Sequence, residues 1–97
     1  MNTEVIDKIS RYMEVDRETL LNKGLQAYLQ DRKRQLILER ERLLARYKVS
    51  SAAELEEQIR SGTQEEYPAW EDCITLENLD AAIQTLDGYL RDLQTAT

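Results

Sequence analysis

Apolar residues recur at helical spacing through the 33 residues from Asp16 to Lys48, a stretch with no proline and one glycine, Gly24. Leu21, Leu25, Tyr28 or Leu29, Leu36, Leu43 and Tyr47 stand three or four residues apart, or sums of such steps, so one helix face stays apolar. The spacing predicts a single long helix of about 50 Å at ~1.5 Å per residue. The face has a defect: a seam step from Leu29 lands on Arg32, and one from Leu36 lands on Arg40. The apolar surface is thereby divided into an upper patch, Leu20 to Leu29, and a lower patch, Leu36 to Val49. The run Gln30-Asp31-Arg32-Lys33-Arg34-Gln35 lies between them, and each patch reads as its own packing site.

The flanking segments follow the same grammar. Val5, Ile6, Ile9, Tyr12 and Met13 form one face of a short helix over 3–13, with Asn2 or Thr3 able to cap it. Glu14-Val15 breaks the pattern, and Asp16 can cap the long helix, with Glu18 in its first turn. Ser51-x-x-Glu54 is a capping box opening a short helix over 52–60, carried by Ala52, Leu55 and Ile59 and stopped by Gly62. After a loop over 61–67, Pro68 suits a first helical turn. Leu76, Leu79, Ile83, Leu86, Leu90 and Leu93 then step by 3, 4, 3, 4 and 3, a three-heptad seam running to about Leu93. The fold class is all-α. Four helices are expected, short, long, short and long, with the last packed antiparallel on the lower patch as a helical hairpin. The 97 residues make one domain, divided into a helix-turn-helix unit over 1–30 and the hairpin over 31–97. Two short apolar faces cannot bury each other and the lower patch as well. Ile6, Ile9, Leu21, Leu25, Tyr28 and Leu29 are therefore expected to pair in a homodimer.

Charge adds an asymmetry. Residues 1–50 carry 11 Lys and Arg against 8 Asp and Glu, net +3, whereas 51–97 carry 2 against 11, net −9. Such an acidic half either meets a basic partner or serves solubility. No run of about 18 apolar residues is present, which excludes a membrane span. The amino terminus lacks signal-peptide features and Cys73 is the lone cysteine, so the expected compartment is the cytoplasm.

Little here points to catalysis. Histidine is absent, which removes the commonest general base and metal ligand, and there is no Gly-rich phosphate loop. The carboxylate pairs Glu54/Glu57 and Glu77/Asp80 read as solvated acids rather than a cation site. Cys73 lacks an activating base and reads as a buried or half-buried thiol. No enzyme, cofactor or metal is expected. Arg32, Lys33 and Arg34 are candidate phosphate contacts. The alternation of Glu39 and Glu41 with Arg40 and Arg42 favours a salt-bridged helix face instead, with Glu39 meeting Arg42 or Arg46, or cations meeting the acidic C-terminal helix. Nucleic acid is thus the less favoured partner. Trp70 has two readings, a residue closing the hairpin end or an interface anchor.

Residues 5–29, with Val5-Ile6-Asp7-Lys8-Ile9-Ser10, the Glu14–Glu18 turn and Leu20–Leu29, resemble the helical half of ribbon-helix-helix repressors. The base-reading strand of that family has no counterpart in Met1–Glu4, so the likeness implies dimerisation more than DNA reading. A second resemblance spans most of the chain. Met1-Asn2-Thr3-Glu4, Arg46-Tyr47-Lys48-Val49-Ser50-Ser51, Glu54-Leu55-Glu56, Pro68-Ala69-Trp70-Glu71-Asp72 and Leu76-Glu77-Asn78-Leu79 are similar to the TumA antitoxins encoded beside TumE-type toxins. That resemblance implies a protein that binds and neutralises a toxin. Tyr67, Trp70, Glu71, Asp72, Asp80 and Asp87 are the expected contacts with a basic toxin surface. A structural or adaptor homo-oligomer and a dimeric DNA-binding autoregulator are the alternatives.

Overall fold

A computed structural model describes residues 3–96 as four α-helices, with no strand among them: α1 (Thr3–Met13), α2 (Arg17–Tyr47), α3 (Ala52–Arg60) and α4 (Glu66–Thr95). Thr3 opens α1, and the expected Asn2 cap lies outside the described residues. α2 is continuous over 31 residues despite Gly24. Asp16 occupies its N-cap position with extended backbone, but its carboxylate makes no capping bond, which corrects that expectation.

Two helices end without glycine. Glu14 and Lys48 both sit at φ 56°, in the left-handed region that glycine favours. In each turn the next amide reaches back to a carbonyl of the last helical turn, Val15 N–H to Ser10 O at 3.1 Å and Val49 N–H to Leu44 O at 3.1 Å. The capping box of α3 forms with a one-residue extension. Ser51 Oγ accepts from the Glu54 amide at 3.1 Å, while the Glu54 carboxylate accepts from the amide and hydroxyl of Ser50, at 2.7 and 2.6 Å, rather than from Ser51. These bonds hold the Glu54 carboxyl below its usual range. Gly62, at φ 80°, follows the end of α3. Tyr67 is extended (φ −112°, ψ 131°) across a cis bond to Pro68, so the regular part of α4 begins at the proline.

The main core gathers where α2, α3 and α4 meet. Leu36, Leu43, Leu44 and Val49 pack with Ala52, Leu55 and Ile59 of α3 and with Ala69, Cys73, Leu76 and Leu79 of α4. Leu55 and Leu76 are fully buried. Tyr47, Ala82, Ile83 and Leu86 flank this cluster.

α4 runs antiparallel to α2, but it does not stop at the lower patch as expected. It continues to the top of the hairpin, where Asn22 Nδ2 donates to Leu93 O at 2.9 Å. That carbonyl lies in the last turn of α4, where helix carbonyls lack intrahelical donors. The Gln26 amide donates in turn to Asn22 Oδ1, which lets a buried glutamine sit inside the hairpin. The residues of α2 facing α4 form two lanes of seven-residue period. One is apolar, Leu29, Leu36 and Leu43. The other is polar, Gln26, Lys33, Arg40 and Tyr47. The polar lane is answered from α4: Lys33 pairs with Asp87, Arg40 Nε with Asp80 at 2.6 Å, and the Tyr47 hydroxyl donates to Asp72. Arg40, one of the two arginines that interrupt the apolar pattern, is therefore a rung of an interhelical ladder.

The result is a rod of 61 × 22 × 18 Å with a radius of gyration of 19.4 Å, against roughly 13 Å for a compact chain of about 100 residues. α1 folds back over the start of α2, where Arg17 and Asp7 pair at 3.7 Å. It docks by the edge of its apolar face. Ile6 and Ser10 are buried, whereas Val5, Ile9, Tyr12 and Met13, which share an arc of about 100°, stay exposed. The Ser10 hydroxyl has no hydrogen-bond partner among the described residues.

Candidate interaction surfaces

The rod presents apolar side chains at both ends, set in different charge. At the α3/α4 end, Tyr67 is exposed just before the regular part of α4, and Trp70 and Ile74 are exposed on the side of α4 away from its leucine seam. Trp70 and Ile74 are one helical turn apart and share a face. Trp70 is 47% exposed and lines a groove of about 380 Å³ with Ile59, Arg60 and Glu66. Its ring is thus half covered beside the end of α3 and half open to solvent.

This end is strongly acidic. Residues 51–77 carry eight acids and one base, Arg60, which pairs with Glu56 at 2.8 Å, and Arg42, Arg46 and Lys48 at the adjoining end of α2 offset part of this, leaving net −4 over residues 42–77. Among the described residues, Glu57, Glu65, Glu66 and Glu71 form no ion pair and are exposed.

The structure brings together only part of the expected partner surface. Tyr67, Trp70 and Glu71 are exposed as expected. Asp72, Asp80 and Asp87 are half-buried and turned into the hairpin: Asp72 accepts from the Tyr47 hydroxyl and pairs with Arg46 at 3.3 Å, Asp80 meets Arg40, and Asp87 meets Lys33. The heptad seam leaves these three residues at the margins of the α2–α4 contact, where long cationic side chains reach them. Ile74 was not singled out in the sequence, although its place four residues after Trp70 was the available signal.

The basic run is similarly committed. Lys33 is held by Asp87, Arg34 pairs with Asp31 at 2.8 Å, and Arg32 donates to Gln35 at 3.2 Å. Glu39 makes no ion pair with Arg42 or Arg46 among the described residues, because Arg46 reaches across to Asp72 instead. Cations meeting the acidic helix of the same chain is thus the arrangement found.

At the opposite end, Val5, Ile9, Tyr12 and Met13 of α1 and Leu21, Leu25 and Tyr28 of α2 are exposed, Tyr12 and Tyr28 at 87% and 75%. Of the expected pairing residues, Ile6 is already buried within the chain and Leu29 is half-buried. Leu29, Leu25, Tyr89, Asp92 and Leu93 line a largely apolar groove of about 290 Å³ between α2 and α4.

The Cys73 thiol is buried, 3.5 Å from Ala52 O. Burial, and then the charges of Glu77 and Glu56, push it above its ordinary range, the opposite of an activated nucleophile. Among the described residues no three acidic or cysteine side chains form a cluster able to hold a metal, and no helix is long and apolar enough to cross a membrane.

The family described as the uncharacterized protein MJ0235 family matches residues 1–97. The chain belongs to the MJ0235 family. No curated protein and no solved structure matches it. Family membership over the full length means that both ends of the rod and the ladder between them lie within one family unit.

Proposed function

We propose that this MJ0235-family chain is a non-enzymatic interaction protein that binds and neutralises a basic toxin in the cytoplasm, as an antitoxin does. The observation that carries this reading is the α3/α4 end, where Tyr67, Trp70 and Ile74 stand exposed among acids that the fold does not use. Exposed aromatics give a partner something to bury, and they dominate the energy of many interfaces. The unpaired carboxylates Glu57, Glu65, Glu66 and Glu71 draw in a cationic surface and orient it. The likeness of Pro68-Ala69-Trp70-Glu71-Asp72 and the flanking pieces to TumA antitoxins supplies the kind of partner. The commitment of Lys33 and Arg34 to carboxylates within the chain weighs against nucleic acid as the target.

The test is co-expression with the product of the neighbouring reading frame. The expected result is a toxic basic product, rescue of growth by this chain, and co-purification that weakens as salt rises. Trp70→Ala is expected to abolish rescue while lowering the melting temperature of the free protein only slightly, because the ring is already half in water. Rescue that survives Trp70→Ala combined with Glu66→Lys and Glu71→Lys would overturn the reading.

A further inference from the structure

We infer that the opposite end of the rod, the exposed apolar faces of α1 and the first turns of α2, is the site where a second copy of this chain binds, making a two-fold dimer. This inference does not rest on the antitoxin reading. Three observations carry it.

The first is how α1 docks. A chain that folded for its own sake would turn the middle of the α1 apolar arc, Ile9 and Met13, onto α2. The helix instead buries Ile6 and the hydroxyl of Ser10, which finds no partner among the described residues, and leaves Val5, Ile9 and Met13 about half exposed. A face so placed is matched to something outside the chain.

The second is area. The seven exposed apolar residues at this end, Val5, Ile9, Tyr12, Met13, Leu21, Leu25 and Tyr28, together expose about four whole residues' worth of surface. At roughly 200 Å² each this is about 800 Å², close to the ~800 Å² that each partner contributes to a standard stable interface. Exposed apolar surface of this extent on a small protein marks an interaction site.

The third is charge, and it selects the occupant. Residues 3–29 carry Lys8, Arg11, Arg17 and Lys23 against Glu4, Asp7, Glu14, Asp16 and Glu18, net −1, whereas residues 30–97 carry net −5. A two-fold contact sets a surface against itself, so it needs a patch that does not repel its own copy. The nearly neutral α1/α2 end meets that condition. The α3/α4 end does not: residues 51–77 carry net −7, and Arg42, Arg46 and Lys48 at the adjoining end of α2 reduce this only to net −4. Joining the neutral ends leaves the two acidic ends outermost and free.

Sedimentation velocity on the full chain tests this. The expected wild-type species at micromolar concentration has about twice the 11.4 kDa mass of one chain. Leu25→Glu is expected to weaken association at least about 30-fold, as for an interface hot spot, with helical circular dichroism retained. Tyr28→Lys, at a side chain 75% exposed in the single chain, cannot disturb the monomer fold and decides the matter if Leu25→Glu misfolds. Trp70→Lys, at the other end, is expected to leave the dimer intact. A wild type that stays monomeric to about 100 μM, well above the micromolar range of specific association, overturns the inference. So does a larger open-ended assembly, or a dimer that Trp70→Lys splits and Tyr28→Lys does not. A monomer that nevertheless binds the neighbouring gene product would overturn the dimer alone.

Discussion

Replacing Leu76 by alanine tests where the stability of this rod resides. Leu76 is fully buried at the junction of α2, α3 and α4, among the side chains of all three. The substitution removes three carbons, about 2.4 kcal/mol of transfer free energy at ~0.8 kcal/mol per methylene. The residual cavity adds to this, because helices clamped on three sides relax only partly. The total is expected near 3.5 kcal/mol, inside the roughly 2.7–5.0 kcal/mol range for buried leucines. For 97 residues, at about 2.1 cal/mol/K each, the unfolding entropy is roughly 0.2 kcal/mol/K, so the melting temperature is expected to fall by about 17 °C. Leu86, on the same seam but half-buried, is the internal control, with an expected cost under about 1.5 kcal/mol. Urea and thermal denaturation followed by circular dichroism at one protomer concentration would measure both, since association would otherwise shift the midpoints. A Leu76→Ala cost below about 1.5 kcal/mol, or a Leu86→Ala cost equal to it, would refute a core concentrated at the three-helix junction.

The remaining expectations concern polar groups. Burial, then the hydrogen bond and charge of Asp72, raise the Tyr47 phenol above its usual range. A raised acid contributes stability that is complete below the unfolded value near 10 and is lost as pH rises through the folded value. Titrating stability from pH 9 to 12 is therefore expected to show an alkaline loss that Tyr47→Phe reduces; the same slope in both proteins would disprove it. Ser51→Ala removes the side-chain acceptor of the Glu54 amide and is expected to cost about 1 kcal/mol in urea unfolding. Lys48→Gly relieves the left-handed backbone at the end of α2 and is expected to add about 1 kcal/mol; a destabilised variant would show that the Lys48 side chain matters more than its backbone.

The helices were legible because each carries its own punctuation. The pattern from Ser51 to Ile59 located α3 to the residue, and Pro68 located the regular start of α4. What lay beyond single-helix reading was pairing between helices. Helical spacing tells which residues share a face, not which residue of another helix stands opposite. Arg40 therefore looked like a break in an apolar seam, and Asp72, Asp80 and Asp87 looked like free acids. Once α4 lies alongside α2 these residues find each other, and the surface proposed to meet a partner shrinks to Tyr67, Trp70, Ile74 and the acids nearby. The docking of α1 by its edge was equally hidden, because the apolar arc is the same whether its middle or its margin touches α2.

The ladder of Lys33, Arg40 and Tyr47 against Asp87, Asp80 and Asp72 also settles an ambiguity of alignment. Leucines repeating every seven residues look the same after a slide of seven, so the two long helices have several nearly degenerate registers. One heptad of slip would superimpose the leucines again, but Lys33 would then face Asp80, Arg40 would face the Cys73 thiol, and Asp87 would face Gln26. An arginine and an aspartate would each lose their counter-charge beside the seam, a cost the leucines cannot recover. The polar lane thus acts as a vernier: it adds little to the attraction between the helices and selects a single alignment among several.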